Sequence, residues 1–183
     1  MYEPQEDSFL LRDVVVDFLS ENPVSHGLDM GTGSGILGLA MKPFCDLVVC
    51  VDVNQDVVSF VSDLVKDKPG FLVVESDLFS NLGSFKKKFD VIVFNPPYLP
   101  REEFEVDDLE LTSGESGLDI TFRFVSDSRA FLKKSGKLFF VVSSLVDVNS
   151  LNDFLFGNGF GFRVVKKESF FFEEIMVYEA WFL

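Results

Sequence analysis

Leu28-Asp29-Met30-Gly31-Thr32-Gly33-Ser34-Gly35 decides the fold. Gly27 to Met30 reads as a strand, the glycines as a turn, and Ile36 to Met41 as a helix stopped by Pro43. Glycine permits a tight turn and lets backbone approach a ligand closely. Alone, such a turn is weak evidence, because dinucleotide dehydrogenases use a similar one. Val51-Asp52-Val53 sharpens it. A second strand ends there in a carboxylate about 20 residues on, where it can accept hydrogen bonds from both ribose hydroxyls. Ser76-Asp77-Leu78 follows a third strand; Asp77 can bind an exocyclic amine and Leu78 can cover an adenine face. Asp52 alone also fits a helix N-cap. Three strand-end positions together fit a nucleoside better.

On either side of this segment, short apolar runs alternate with amphipathic stretches, the pattern of a parallel sheet wrapped by helices. A first helix is expected over Glu6 to Leu19, and further strands at Leu47–Val51, Phe71–Val74, Val91–Phe94 and Lys137–Val142. Gln55 to Lys66 reads as a helix, with Val57, Phe60, Val61 and Leu64 on one face at i, i+3, i+4, i+7 spacing. A later helix carries Ile120, Phe124, Phe131 and Leu132 inward and stops near Gly136; a short one carries Val148, Leu151 and Leu155. The tail, Phe162–Val165 and Phe170–Trp181, reads as two strands joined by a polar turn. The expected architecture is α/β, a mostly parallel seven-stranded sheet with helices on both faces and a C-terminal antiparallel pair. Residues 1–183 suit one domain with one sizeable core.

Charge and composition remove several function classes. The formal net charge is −14, and the densest basic run, Lys86 to Lys88, is short. Nucleic-acid binding normally needs a basic face, so the balance favours a basic or neutral partner. No apolar run approaches the roughly 20 residues that span a bilayer. The polar, acidic start, Met1 to Asp7, does not read as a signal peptide, so the expected location is cytoplasmic or nuclear. Cys45 and Cys50 read as reduced, partly buried thiols, and His26 as an isolated loop residue before a strand; no metal site is expected.

No lysine follows the glycines as a phosphate loop would require. Asp29 would also repel a pyrophosphate. It can instead attract the positively charged end of S-adenosylmethionine, which favours that cofactor over a dinucleotide. The most specific signal is Asn95-Pro96-Pro97-Tyr98, after the fourth strand. The prolines fix the backbone and free their carbonyls from sheet bonding. The Asn95 side-chain oxygen and the Pro96 carbonyl can then both accept from one NH₂ group, and Tyr98 can stack on a flat acceptor. Such a clamp orients a planar amide or amine, and positioning carries most of the chemistry.

These features resemble the HemK-like branch of class I methyltransferases, the release factor glutamine methyltransferases, whose fold is Rossmann-like. Tyr2-Glu3-Pro4-Gln5-Glu6-Asp7-Ser8-Phe9-Leu10-Leu11 is similar to the N-terminal segment of the short eukaryotic and archaeal members. Ser113-Gly114-Glu115-Ser116-Gly117-Leu118-Asp119 resembles the segment after the catalytic loop, with Ser113 where the family commonly has glycine. No counterpart of the helical N-terminal domain of the bacterial enzymes is expected, so substrate docking is expected to differ from theirs. The resemblance implies cofactor contacts at Ser8, Asp29, Gly31, Gly33, Asp52, Asp77, Leu78 and Asn95. It implies catalysis at Asn95, Pro96, Pro97 and Tyr98, and as acceptor the glutamine in the Gly-Gly-Gln loop of a class I translation termination factor.

The runner-up acceptor is adenine N6 of DNA or RNA, which the same clamp would take, but no basic recognition region accompanies it. Protein lysine methylation ranks lower because a lysine must first lose a proton, and a non-catalytic scaffold would not need the intact clamp. Glu102 to Glu110 reads as a solvated acidic loop or, functionally, as a docking surface for a basic substrate near the active site. In the usual strand order, Phe71-Leu72-Val73-Val74 is an uncharged edge open to pairing. The resemblance implies that a small zinc-binding activator protein adds its strand there. With 23 phenylalanines, poor solubility is expected without it.

Overall fold

The computed structural model describes residues 5–97, 117–170 and 173–183. In chain order the elements are α1 (Glu6–Glu21), β1 (Val24–Met30), α2 (Ile36–Met41), β2 (Cys45–Asp52), α3 (Gln55–Val65) and β3 (Phe71–Glu75). They continue with β4 (Phe89–Phe94), α4 (Asp119–Ser128), β5 (Leu132–Ser143), α5 (Val148–Gly157), β6 (Phe160–Phe170) and β7 (Glu173–Phe182). The strands form one seven-stranded sheet in the order β3-β2-β1-β4-β5-β7-β6. β3 through β5 are parallel, and β7 runs antiparallel to both β5 and β6. β2 and β4 read as nearly continuous apolar runs because helices cover both faces of the sheet.

Each face has its own core. On one side Phe124 and Val125 of α4 and Leu151 and Leu155 of α5 meet Leu28, Val49, Ile92 and Phe140 of the sheet. On the other, α1, α2 and α3 cover Val48, Cys50, Val91 and Val141. Leu11, Val15 and Leu19 of α1 are buried at helical spacing, each contributing about 1.5–3 kcal/mol. That anchorage fixes the first turn of α1 at the C-terminal end of the central strands. Among the described residues, no helix is long and apolar enough to cross a membrane.

Three expectations need correction. Phe131 and Leu132 do not belong to a helix ending near Gly136: α4 ends at Ser128, and Leu132 opens β5 opposite Phe89. The register then jumps to Val91 opposite Lys137, and a Cβ on Gly136 would meet the Phe89 carbonyl at 3.0 Å. The tight doubling-back hid the strand behind an apparently helical spacing. Lys166 to Ser169 are not a turn but part of β6, paired with β7. Polar residues suit an edge strand as well as a turn. His26 lies within β1 opposite Leu47, its N–H donating to Asp90 Oδ2 (3.0 Å).

Candidate active site

β1, β2, β3 and β4 end around one cavity of about 710 Å³, at the place where open α/β sheets bind ligands. Gly31, Gly33, Asp52, Asp77, Leu78, Asn95, Pro96 and Pro97 line it, as does Ser8 from α1. Met30, Leu37, Val57, Phe94 and Ile120 supply apolar wall. Sequence positions far apart are thus brought together as expected. Tyr98, Glu102 to Glu110 and Ser113 to Ser116 lie outside the described residues.

The glycine turn is held by specific bonds. Thr32 N–H donates to the Val51 carbonyl (2.8 Å), tying the turn to β2. Gly33 has φ +50°, and a Cβ there would find nothing nearer than 3.9 Å. Backbone conformation and open space on the cavity side both call for glycine there. Asp52 accepts from Gly33 N–H (3.1 Å) and Asn54 N–H (3.0 Å), one oxygen each. A carboxylate oxygen has more than one lone pair, so both oxygens keep acceptor capacity for a diol. The N-cap of α3 is Asn54, which accepts from Asp56 N–H, so Asp52 is not the cap.

Leu78 adopts φ +47°, a left-handed conformation unusual for a branched apolar residue, and is buried on the cavity wall. Asp77 beside it is half exposed and paired with Arg123 of α4 (2.7 Å). Asn95 follows β4. Its Nδ2 donates to Asp7 Oδ2 and to Ser8 Oγ, both at 3.1 Å. Its Oδ1 is buried and has no hydrogen-bond partner among the described residues. An orphaned acceptor on a cavity wall is a place for a ligand N–H.

Asp29 is placed differently from expectation. It is fully buried beneath the turn and does not line the cavity. Its Oδ2 accepts from the Thr32 hydroxyl (2.6 Å) and from Gly38 N–H (2.8 Å). Desolvation pushes its carboxyl up to about 7, against those two hydrogen bonds. In this geometry Asp29 braces the turn rather than facing a bound cation. Gly38 makes that possible, since a Cβ there would meet Cys50 Sγ at 2.6 Å and Asp29 Oδ2 at 3.1 Å. Cys45 and Cys50 are free and buried in β2, and burial pushes the Cys45 thiol up to about 11.

Sequence reasoning missed Asp7, Thr32 and Gly38. Thr32 and Gly38 lie in or just after the turn, yet only the fold shows that they converge on Asp29. Asp7 sits in the first helical turn, where an acid is unremarkable.

The donor set fits S-adenosylmethionine: a carboxylate for the ribose, an acid and apolar wall at the third strand end, and a glycine turn open to close approach. Comparison with known proteins agrees. The model of the methyltransferase small domain family matches residues 12–172. A protein of Methanocaldococcus jannaschii, provisionally named a protein N5-glutamine methyltransferase, is 35% identical over 99% of this chain and 91% of its own length. A release factor glutamine methyltransferase of Clostridium acetobutylicum is 29% identical over 86% of this chain; the match spans 60% of that longer protein. Among solved structures, a chain of the E. cuniculi Mtq2-Trm112 complex, responsible for methylation of the eRF1 translation termination factor, superposes with a TM-score of 0.75. It is 25% identical, with 100% of this chain and 98% of that chain covered. The chain therefore belongs to the methyltransferase small domain family, among the protein N5-glutamine methyltransferases.

Proposed function

We propose that this chain transfers a methyl group from S-adenosylmethionine to the side-chain nitrogen of the glutamine in the Gly-Gly-Gln loop of a class I translation termination factor. The observation that carries the reading is the buried, unpartnered Oδ1 of Asn95 at the cavity wall. In this reading Asn95 Oδ1 and the Pro96 carbonyl each accept one N–H of the glutamine amide. Tyr98 stacks on the amide plane. The clamp fixes the nitrogen as its lone pair turns out of conjugation, and orientation lowers the barrier without a strong base. Asp52 holds the ribose, Asp77 and Leu78 the adenine, and the glycine turn the amino-acid end. The bound sulfonium supplies an activated methyl group and a good leaving group. One C–S bond breaks, one N–C bond forms, and one amide proton is lost to solvent. The whole chain, 1–183, acts as one cytoplasmic methyltransferase unit.

The same reading includes a small zinc-binding activator that adds a strand to β3. Val48 N–H donates to the Gly70 carbonyl and Ser76 N–H to the Asp52 carbonyl, both at 2.9 Å. Backbone groups alternate sides along a parallel ladder. Phe71, Val73 and Glu75 therefore turn their N–H and C=O groups away from β2, toward the open edge. Leu72 is 39% exposed there. The opposite edge, β6, is blunted by exposed Arg163, Lys166, Lys167 and Glu168 and by a bulge between Val164 and Lys166. Strand addition is thus supported at β3 and opposed at β6. Val73→Pro removes an outward donor without touching the β2 ladder. It should abolish co-purification and the one-to-one complex in light scattering; an unaffected complex would place the activator elsewhere.

Labelled methyl transfer to termination factor, its glutamine variant, DNA and RNA, side by side with the activator present, tests the function. Label should enter the factor and be lost with the glutamine. Efficient labelling of nucleic acid, and none of the factor, would favour the adenine reading.

A further inference from the structure

Asn95 does not stand alone. Asp7 and Ser8, in the first turn of α1, lie 88 and 87 residues away in sequence, and both accept from its Nδ2. Both are nearly fully buried, Asp7 at 3% and Ser8 at 4% exposure. Asp7 is itself oriented: its Oδ1 accepts from Ser8 N–H at 2.6 Å and from the Ser8 hydroxyl at 3.3 Å. Its other oxygen, Oδ2, accepts from Asn95 Nδ2.

The chemistry of this arrangement is directional. An ionised carboxylate only accepts hydrogen bonds, so the Asn95 atom facing it must be the NH₂. The amide carbonyl is thereby turned the other way. A negative charge beside the NH₂ also draws the amide dipole toward its oxygen, because hydrogen bonds in a chain polarise one another. Asn95 Oδ1 becomes a stronger acceptor. The substrate nitrogen gains positive charge only as the methyl arrives, so a stronger acceptor on its N–H groups favours the transition state over the bound ground state.

We propose that Asp7 is a positioning residue for methyl transfer, which orients and polarises Asn95 through its side-chain amide. This rests on the reading of Asn95 as half of the amide clamp. The proposed role of Asp7 involves no proton transfer to or from Asn95. The bland alternative is an acid that merely favours the start of α1 through the helix dipole.

Two measurements on the full chain decide between them. In steady-state kinetics, Asp7→Asn should lower kcat by about 10-fold, with the loss in kcat rather than in substrate KM. Calorimetric affinity for S-adenosylmethionine and the melting temperature should stay close to wild type. Asp7→Asn should add nothing in an Asn95→Ala background, since its effect passes through that side chain. An unchanged kcat, or an equal loss in the Asn95→Ala background, would overturn the proposal. The second measurement needs no turnover and no Asp7 variant. In the wild-type NMR spectrum, the side-chain amide protons assigned to Asn95 by their loss in Asn95→Ala should exchange slowly with solvent. Rapid exchange would overturn the contact. If the wild-type enzyme methylates no termination factor, the functional reading fails, and the NMR result still decides the Asp7 contact.

Discussion

Asp29 is the penultimate residue of β1, and Asn95 follows β4, the strand beside it. Each has a buried Oδ1 without a hydrogen-bond partner among the described residues. Leaving such an acceptor unpaired costs about 1–3 kcal/mol. The two sites meet that cost differently. Asn95 is on the cavity wall, where a substrate N–H can reach its oxygen. Asp29 is buried under the glycine turn, off the cavity lining, and its carboxyl is instead pushed up to about 7 by burial. An orphaned acceptor therefore points to substrate chemistry only where a cavity meets it; elsewhere it points to a proton.

The sharpest way to break this contrast is at Asn95. Asn95→Ala should cut turnover by on the order of 10²-fold, while cofactor affinity falls much less. Turnover near wild type would move Asn95 into the same structural class as Asp29. A smaller effect is expected at Asp52, whose oxygens are partnered but still have lone pairs open to the cavity. Asp52→Ala should weaken S-adenosylmethionine binding by about 1.5–3 kcal/mol in calorimetry. Unchanged affinity would leave Asp52 as a brace of the turn alone.

The most specific effect concerns pH. The Asp29 carboxyl is raised from 3.8 to about 7 in the fold. Its contribution to stability is therefore fully present below about 4 and lost as pH rises through about 7. Asp29→Asn cannot titrate. Measured against that variant by denaturant unfolding, wild type should lose on the order of 1 kcal/mol per pH unit between about pH 5 and 7, and nothing further above 8. Parallel stability profiles would show that Asp29 is ionised in the folded protein across that range.

The strand ends were legible in the sequence because their chemistry is local. Asp52, Asp77, Leu78 and Asn95 each follow an apolar run, and all four line the cavity. Whether an acid at such an end faces ligand or core was not legible. Asp29 and Asp52 look alike in sequence, and only the convergence of Thr32 and Gly38 on Asp29 separates them. The Asp7–Asn95 bond was illegible for another reason: it depends on how α1 docks, which no local pattern encodes. The elements misread, the start of β5 and the extent of β6, lie where a register jump or an exposed edge breaks the usual apolar period.

The Asn95 clamp is proposed to position a glutamine amide for methyl transfer. Tandem mass spectrometry of the termination factor, after incubation with the enzyme, the proposed activator and S-adenosylmethionine, decides whether it does. One added methyl group is expected on the side-chain nitrogen of the Gly-Gly-Gln glutamine, and almost none with Asn95→Ala. A methyl group on another residue of the factor, or undiminished methylation by Asn95→Ala, would contradict it.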